Sequence, residues 1–383
     1  MRVLVLGGRA PVALDHARRF AAQGSTVYVA DSVPCRISSY GRAVTETFRV
    51  PPPRFAAVEF AKELARIIQR KRIDLVLPTC EEVFYVSRFR HYLPSECAVF
   101  APRFDQLRQL HSKLRFLELA ANCGAAVPVS ARVRNIREAV IWSDGRPVVL
   151  KPEFSRFGVH VRLYPDGIPP NSAELAPVGD WVVQEFCAGK EICSYSVAVG
   201  GVVTAHVEYQ PRYRIASSSS FYFDPCSALG VRDFIDQFVR KMDFTGQISF
   251  DWIIGRDDRN SILECNPRAI SGLHLFDALD PLPAAITGQT ARCITPRRDK
   301  PRMFSAIMLS VGLLAAMRTR RLGEWLRDWR RAGDVLLDNG EIAPMLGGLM
   351  DLGSHSWRAL SQRCSVREAS TRDIEWDGQD LPL

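Results

Sequence analysis

The sequence predicts a protein of mixed α/β and α+β class: an N-terminal doubly wound, Rossmann-like domain, then two lobes built on antiparallel sheet, then a helical C-terminal extension. Three observations predict it. Apolar runs alternate with amphipathic stretches over the first hundred residues, strand patterns broken by glycine and proline dominate after about Asp105, and from about Thr295 the chain turns helix-rich and basic. The divisions expected on that basis are 1–104, 105–185, 186–294 and 295–383.

In the first division, Val3 to Leu6 reads as a strand, Ala13 to Ala22 as a helix and Thr26 to Ala30 as a second strand. A helix near Ala57 to Lys71 and the apolar run Leu75-Val76-Leu77-Pro78 continue the alternation. Strands separated by helices of this length imply parallel βαβ units. The Gly7-Gly8-Arg9-Ala10-Pro11 turn lacks the G-x-G-x-x-G spacing of a dinucleotide fingerprint, so it is read as a plain strand-to-helix turn lining a substrate cleft.

In the middle divisions, a helical segment from Leu110 to Cys123 carries Lys113, and two β-rich stretches follow at Pro147 to Lys151 and Trp181 to Gln184. Strands recur at Ile192 to Val199, Val202 to Tyr209, Ile248 to Ile254 and Ile262 to Cys265, with a helix at Val231 to Met242. That pattern is α+β built on antiparallel sheet. Ser217 to Ser220 reads as a flexible loop. In the last division, Phe304 to Met317 is too short and too interrupted by Ser305, Ser310 and Gly312 to span a membrane, which needs roughly 20 residues. It is expected to be a buried helix, packed with Trp325, Trp329 and Trp357 on the larger lobe or a partner subunit.

Composition narrows the function classes. A chain of 383 residues with 47% hydrophobic content can bury two or three cores. Its net charge is +8, but the arginines are spread along the chain and no basic stripe is interleaved with stacking aromatics, so neither nucleic acid nor membrane is expected as a partner. An anionic small molecule accounts for the positive balance. The 10 cysteines are scattered without a CxxC pair and no secretory signal precedes them, so a reduced, cytoplasmic setting is expected.

The chemistry concentrates in Phe250-Asp251-Trp252-Ile253-Ile254 and Ser261-Ile262-Leu263-Glu264-Cys265-Asn266-Pro267-Arg268. Paired as a hairpin through the polar Gly255 to Asn260 turn, these strands bring Asp251 level with Glu264 and Asn266. Alternation puts Glu264 and Asn266 on one face and Cys265 on the other. Three oxygen donors then converge, a set suited to Mg²⁺, which commonly keeps few protein ligands. The other reading, ordinary charges on a solvent-facing strand, fits poorly with the apolar runs around them. Lys151 enters a strand end flanked by apolar residues, where its stem packs while its charge reaches a phosphate.

These segments resemble the ATP-grasp superfamily, in particular its carboxylate-amine ligases and carbamoyl phosphate synthetase-like members. An aspartate, a glutamate 13 positions on and an asparagine two further matches the metal-binding pattern of that family, and the Asn266-Pro267-Arg268 ending is similar as well. Upstream, Val148-Val149-Leu150-Lys151-Pro152 looks like its phosphate-binding lysine strand, Lys113 like its earlier nucleotide lysine, and Val182 to Glu191 like its adenine hinge. The resemblance covers roughly residues 1 to 290. It implies an ATP-grasp fold whose two lobes clamp ATP, with Mg²⁺, replaceable by Mn²⁺, on Asp251, Glu264 and Asn266. By the same resemblance Gln184 faces the exocyclic amine of adenine, Glu185 and Cys187 supply backbone contacts and Glu191 meets the ribose hydroxyls. Phe186 is either a stacking platform or core. The chain departs from the family where many members have adjacent glycines: the loop Glu153 to Val159 keeps only Gly158, with Arg156 as a source of charge.

The activity the resemblance implies is carboxylate-amine ligation. A carboxylate attacks the γ-phosphate, an amine then displaces phosphate, and Lys151 and Arg268 stabilise the transferring group. Small-molecule carboxylate and amine substrates are expected, and a homodimer is compatible with the sequence. Arg212 and Arg214 are candidate contacts to an anionic substrate, and a tight turn at Ser271-Gly272 is a candidate cradle for its carboxylate. The competing readings are a nucleotide-binding regulator or scaffold without catalysis, and an enzyme of the same fold with other chemistry, a carboxylase or phosphotransferase.

Overall fold

In the computed structural model, five parallel strands form the N-terminal sheet: β1 (Arg2–Leu6), β2 (Thr26–Asp31), β3 (Glu46–Arg49), β4 (Leu75–Leu77) and β5 (Ala98–Val99), in the order β3-β2-β1-β4-β5. The structure describes all residues except 35, 156–159, 177–178, 216–218, 256–259, 338–339 and 382–383. Val3 to Leu6 and all of β4 are buried, as a parallel sheet covered on both faces requires. Helix Ala57–Lys71 turns Phe60, Leu64, Ile67 and Ile68 inward at helical spacing. Connections run to opposite sides from β1 and β4, so their carboxyl ends open a crevice at the switch point of the sheet.

A second, antiparallel sheet of four strands has the order β6-β9-β7-β8, from β6 (Ser130–Val133), β7 (Val148–Pro152), β8 (Arg162–Tyr164) and β9 (Trp181–Glu185). The outer strands β6 and β8 carry few buried apolar residues, and for that reason their sequences give no strand signal. The third sheet has seven strands: β10 (Lys190–Val199), β11 (Val202–Ile215), β12 (Ser219–Cys226), β13 (Gly246–Ile254), β14 (Asn260–Asn266), β15 (Arg302–Met303) and β16 (Gly333–Asp334). They lie in the order β14-β13-β10-β11-β12-β15-β16. Helix Val231–Lys241 covers its back, with Phe234 edge-on to Trp252 at 5.3 Å.

Several expectations are corrected. The helix foreseen over Leu110 to Cys123 is two helices, Phe104–His111 and Lys113–Ala121, because the Ser112 side chain accepts the Arg115 N–H at 3.2 Å and starts a new helix. Ser219 and Ser220 open β12 and are not loop; Ser217 and Ser218 lie outside the described residues, as do 256–259 of the hairpin turn and Arg156 to Val159 of the phosphate loop. Phe304 to Met317 is a broken helical segment buried on one side only. Met308, Gly312 and Ala316 face the large sheet, while Leu309, Leu314 and Met317 are exposed. No helix among the described residues is long and apolar enough to cross a membrane.

The C-terminal extension is not one appended unit. β15 and β16 extend the large sheet, helix Ala343–Gln362 packs on helix Arg36–Ser39, and the chain then returns to the first domain. There Trp376 is 2% exposed and stacks on Phe84 at 4.9 Å. Of the three tryptophans expected to pack, Trp325 is buried against Met308, Trp329 stacks on Trp325, and Trp357 is exposed.

Candidate nucleotide and metal site

The site is built on the β13–β14 hairpin. Asp251 stands opposite Glu264, and Ser249 opposite Asn266. The register shifts between Asp251 and Trp252, so that Trp252 pairs with Ile262 and Leu263 is the extra residue of a bulge. The bulge resets the alternation. Ile262 and Cys265, three residues apart, both reach the core behind the sheet with Phe250 and Trp252, and Glu264 and Asn266 are left for the cleft. Across the next ladder Asp251 faces Cys193.

Two buried lysines lie across from this pair. Lys113 donates through Nζ to Ser155 Oγ at 3.1 Å and to the carbonyl oxygens of Glu153 and Ser155 at 3.3 and 3.4 Å. Lys151 donates to Gln184 Oε1 at 2.9 Å, and Gln184 Nε2 donates in turn to Ser130 Oγ at 3.1 Å. Both ammonium groups are thus held by neutral acceptors. His111, Lys113, Ser155, Glu264 and Asn266 line a narrow cavity of about 10 Å³, room for about one water.

The electrostatics define what the cleft wants. Burial pushes Lys113 down and takes Lys151 to about 8, against the pull of Glu264 on both. Burial alone would raise Glu264, but Lys113 and Lys151 outweigh it and hold its carboxyl below the usual range. Asp251 is pushed well above its usual value by burial, then by the charge of Glu264, then by Glu191. Two carboxylates held face to face, one of them raised by burial and by the charge of the other, are the electrostatic condition of a cation site. Among the described residues no three His, Cys, Asp or Glu cluster as metal ligands. Two carboxylates with one amide are oxygen donors of the kind Mg²⁺ takes, an ion that keeps waters and phosphate oxygens in its shell. The Asn266 Oδ1 accepts from Arg268 Nη2 at 3.0 Å, and Arg268 Nε lies 3.8 Å from Glu81 Oε1.

The remaining expected residues divide between cleft and scaffold. The Glu185 N–H donates to Val129 O at 2.9 Å and that of Phe186 to Pro147 O at 3.1 Å, so these two amides are engaged with the residues that lead into β6 and β7. The Phe186 ring is 41% exposed and is not core. After Cys187 the hinge runs hard against β13: a Cβ on Gly189 would sit 2.2 Å from Ile254 O. Glu191 is paired with Arg214 at 2.5 Å. Arg212 points elsewhere, bound to Asp328 at 2.7 Å and Asp224 at 3.0 Å. Between them Tyr213 has φ 51°, a left-handed kink that separates the two arginines. Ser271-Gly272 is not a tight turn but the start of a one-turn 3₁₀ helix, Ser271–Leu275, seated so closely that a Cβ on Gly272 would lie 2.6 Å from Tyr195 Cβ.

Two site residues carry no sequence signal. Burial pushes His111 to about 4, and its Nε2 has no hydrogen-bond partner among the described residues. Glu81, fully buried, is the N-cap residue of the helix Glu82–Arg88 that follows β4 and accepts the Trp376 N–H at 3.3 Å. Each is brought to the cleft by chain segments remote in sequence.

The layout is that of the ATP-grasp fold: a Rossmann-like domain, a small four-stranded lobe carrying a buried lysine and a large sheet carrying paired carboxylates. No family model matches the chain, but solved structures do. It aligns with N5-carboxyaminoimidazole synthetase from Staphylococcus aureus complexed with ADP at TM-score 0.59 and 15% identity, over 78% of this chain and 80% of that one. The biotin carboxylase–β-γ-ATP complex from Campylobacter jejuni aligns at TM-score 0.59 and 12% identity, over 74% and 70% of the two chains. The L-amino acid ligase from Bacillus licheniformis aligns at 0.54 and 13%, over 72% and 68%. At such identities the likeness establishes the fold, and the chain has the ATP-grasp fold.

Proposed function

We propose that the chain is an ATP-dependent carboxylate-amine ligase that works through an acyl phosphate and releases ADP and phosphate. The observation that carries this reading is the opposition of the Asp251–Glu264 pair to two buried lysines that, among the described residues, no carboxylate neutralises at hydrogen-bond range. Such lysines and carboxylates cost folding free energy and suit a ligand bearing both phosphate and divalent cation. Asp251, Glu264 and Asn266 would hold Mg²⁺, which would supply charge neutralisation to the phosphates of ATP.

Lys113 and Lys151 exchange their neutral acceptors for phosphate oxygens, and the lobes part to admit the nucleotide into a cavity that has room for about one water. Gln184, freed of Lys151, turns its amide to the adenine edge beside the Cys187 hinge. Arg268 leaves the Asn266 oxygen and meets the γ-phosphoryl group as a carboxylate oxygen of the substrate forms its bond to phosphorus and ADP departs with the bond electrons. The amine then forms the bond to the acyl carbon, loses a proton and expels phosphate. Lobe closure keeps water from the acyl phosphate meanwhile.

The test is a screen of carboxylates and amines with ATP and Mg²⁺, read as products and as hydroxamate. ADP, phosphate and a hydroxylamine-trapped hydroxamate are expected; AMP and pyrophosphate would sink the mechanism. Two of the similar structures are named for carboxylation chemistry, so bicarbonate is the second reading for the carboxylate. Bicarbonate-dependent ATP turnover without any other acid would select it, and absence of turnover with every pair would favour a nucleotide-binding regulator.

A further inference from the structure

The helix Ala343–Gln362 has two unlike faces. Pro344, Gly347, Asp351 and Ala359 are buried toward the first domain, where Asp351 accepts the Ile37 N–H at 3.2 Å. On the other side Leu346, Leu349, Trp357 and Leu360 are 53%, 58%, 74% and 75% exposed. Residues three and four apart on a helix form one stripe, so these four and Gly353 run in a single line.

The stripe is symmetric in sequence. Counted from Gly353, its side chains fall at −7, −4, +4 and +7. It therefore presents the same spacing read from either end, which is the requirement for two helices related by a two-fold axis and packed antiparallel. With the axis at Gly353, Leu349 meets the partner's Trp357 and Leu346 meets the partner's Leu360. Nothing lies within 4 Å of where a Cβ on Gly353 would stand, so two backbones can cross there at the short end of the usual 8–10 Å range. The indole of Trp357 then covers the gap left by the partner's Gly353.

Charge and area select the occupant. Residues 346–360, the length of the stripe, contain no lysine and a single arginine, the half-buried Arg358, and Asp351 is turned inward. A helix lying on an anionic membrane uses several basic residues beside its apolar face, and this stripe has one. The four side chains leave on the order of 500 Å² of apolar surface exposed, at the upper end of what a monomer carries. With Met350 and Leu352, also exposed, on the flank, the contact approaches the roughly 800 Å² per partner of a standard interface. We infer that the chain forms a homodimer through this helix, an isologous antiparallel contact centred on Gly353.

Sedimentation of the full chain at micromolar concentration tests the inference. The unsubstituted protein is expected to be a dimer whose thermal unfolding midpoint rises with protein concentration, and Trp357→Glu a folded monomer whose midpoint does not. Leu346→Glu and Leu360→Lys are each expected to weaken the dimer at least tenfold, and the double variant to regain it, because antiparallel pairing sets those two positions opposite each other. A monomeric wild type overturns the inference. So does a dimer indifferent to Trp357→Glu, or a double variant weaker than both singles. Binding of a monomeric chain to anionic vesicles, lost on Trp357→Glu, would assign the stripe to a lipid surface instead.

Discussion

Buried charge is used in two opposite ways in this molecule, and the contrast separates scaffold from site. Around the first domain, buried arginines stand against carboxylates. Arg9 binds Asp31 and also Asp373, the latter at 2.6 Å, and Arg18 binds Glu341 at 2.9 Å. Asp15, held well below the usual carboxylate range despite its burial by Arg19 and then His274, lies 3.3 Å from Arg19 and 2.6 Å from His274. In the cleft, by contrast, Lys113 and Lys151 hold only neutral oxygens among the described residues, and Asp251 and Glu264 face each other. Paired charges fix one arrangement of chain segments; unpaired ones store a demand that a ligand satisfies.

Substitution in each region should therefore fail differently. Glu264→Gln is expected to lose at least about 10³-fold in ATP turnover while leaving unfolding free energy within about 2 kcal/mol, since relief of the carboxylate repulsion opposes loss of the lysine attraction. Turnover at the unsubstituted rate would remove Glu264 from the site. Arg9→Met is the converse. It strands Asp31 and Asp373, and urea unfolding should register a loss of about 3 kcal/mol, whatever the effect on turnover. A loss under 1 kcal/mol would mean those carboxylates find other partners, and the division drawn between the two regions would fail.

How much of the fold and site is legible in the sequence follows from the range of the forces involved. The Asp251, Glu264, Asn266 grouping is local: two strands and one turn suffice to assemble it, and the residue types declare themselves against apolar neighbours. Lys151 and the β9 hinge are legible for the same reason. The bulge at Leu263 is not, because alternation predicts only the unbroken ladder. Nor is the fate of Arg212 and Arg214, two residues apart, which a left-handed Tyr213 sends to Asp328 and Glu191. Glu81 meets Trp376 across 295 residues of sequence, and no pattern within either segment announces that contact. The exposed stripe of the helix Ala343–Gln362 is equally silent, because the glycines and serines of that helix dilute its periodicity.

The smallest expected effect sharpens the comparison most, because it needs no substitution. Lys151 titrates at about 8 in the folded chain against 10.5 for an ordinary lysine. Burial is the larger cause and Glu264 only partly offsets it. Between those two values the unfolded chain binds the extra proton, so the contribution of this group to stability rises with pH across that window. Its contribution to phosphate binding moves the other way, since a neutral amine attracts no anion. ADP affinity measured without divalent metal should be level up to about pH 7.5, where the nucleotide phosphates are already ionised, and should then weaken toward tenfold per pH unit above about pH 8. A paired surface lysine would hold its proton to far higher pH and give a flat profile over that range. Affinity independent of pH from about 7 to 9.5, read by titration calorimetry, would show that Lys151 does not meet phosphate and that its burial belongs with the scaffold charges of the first domain.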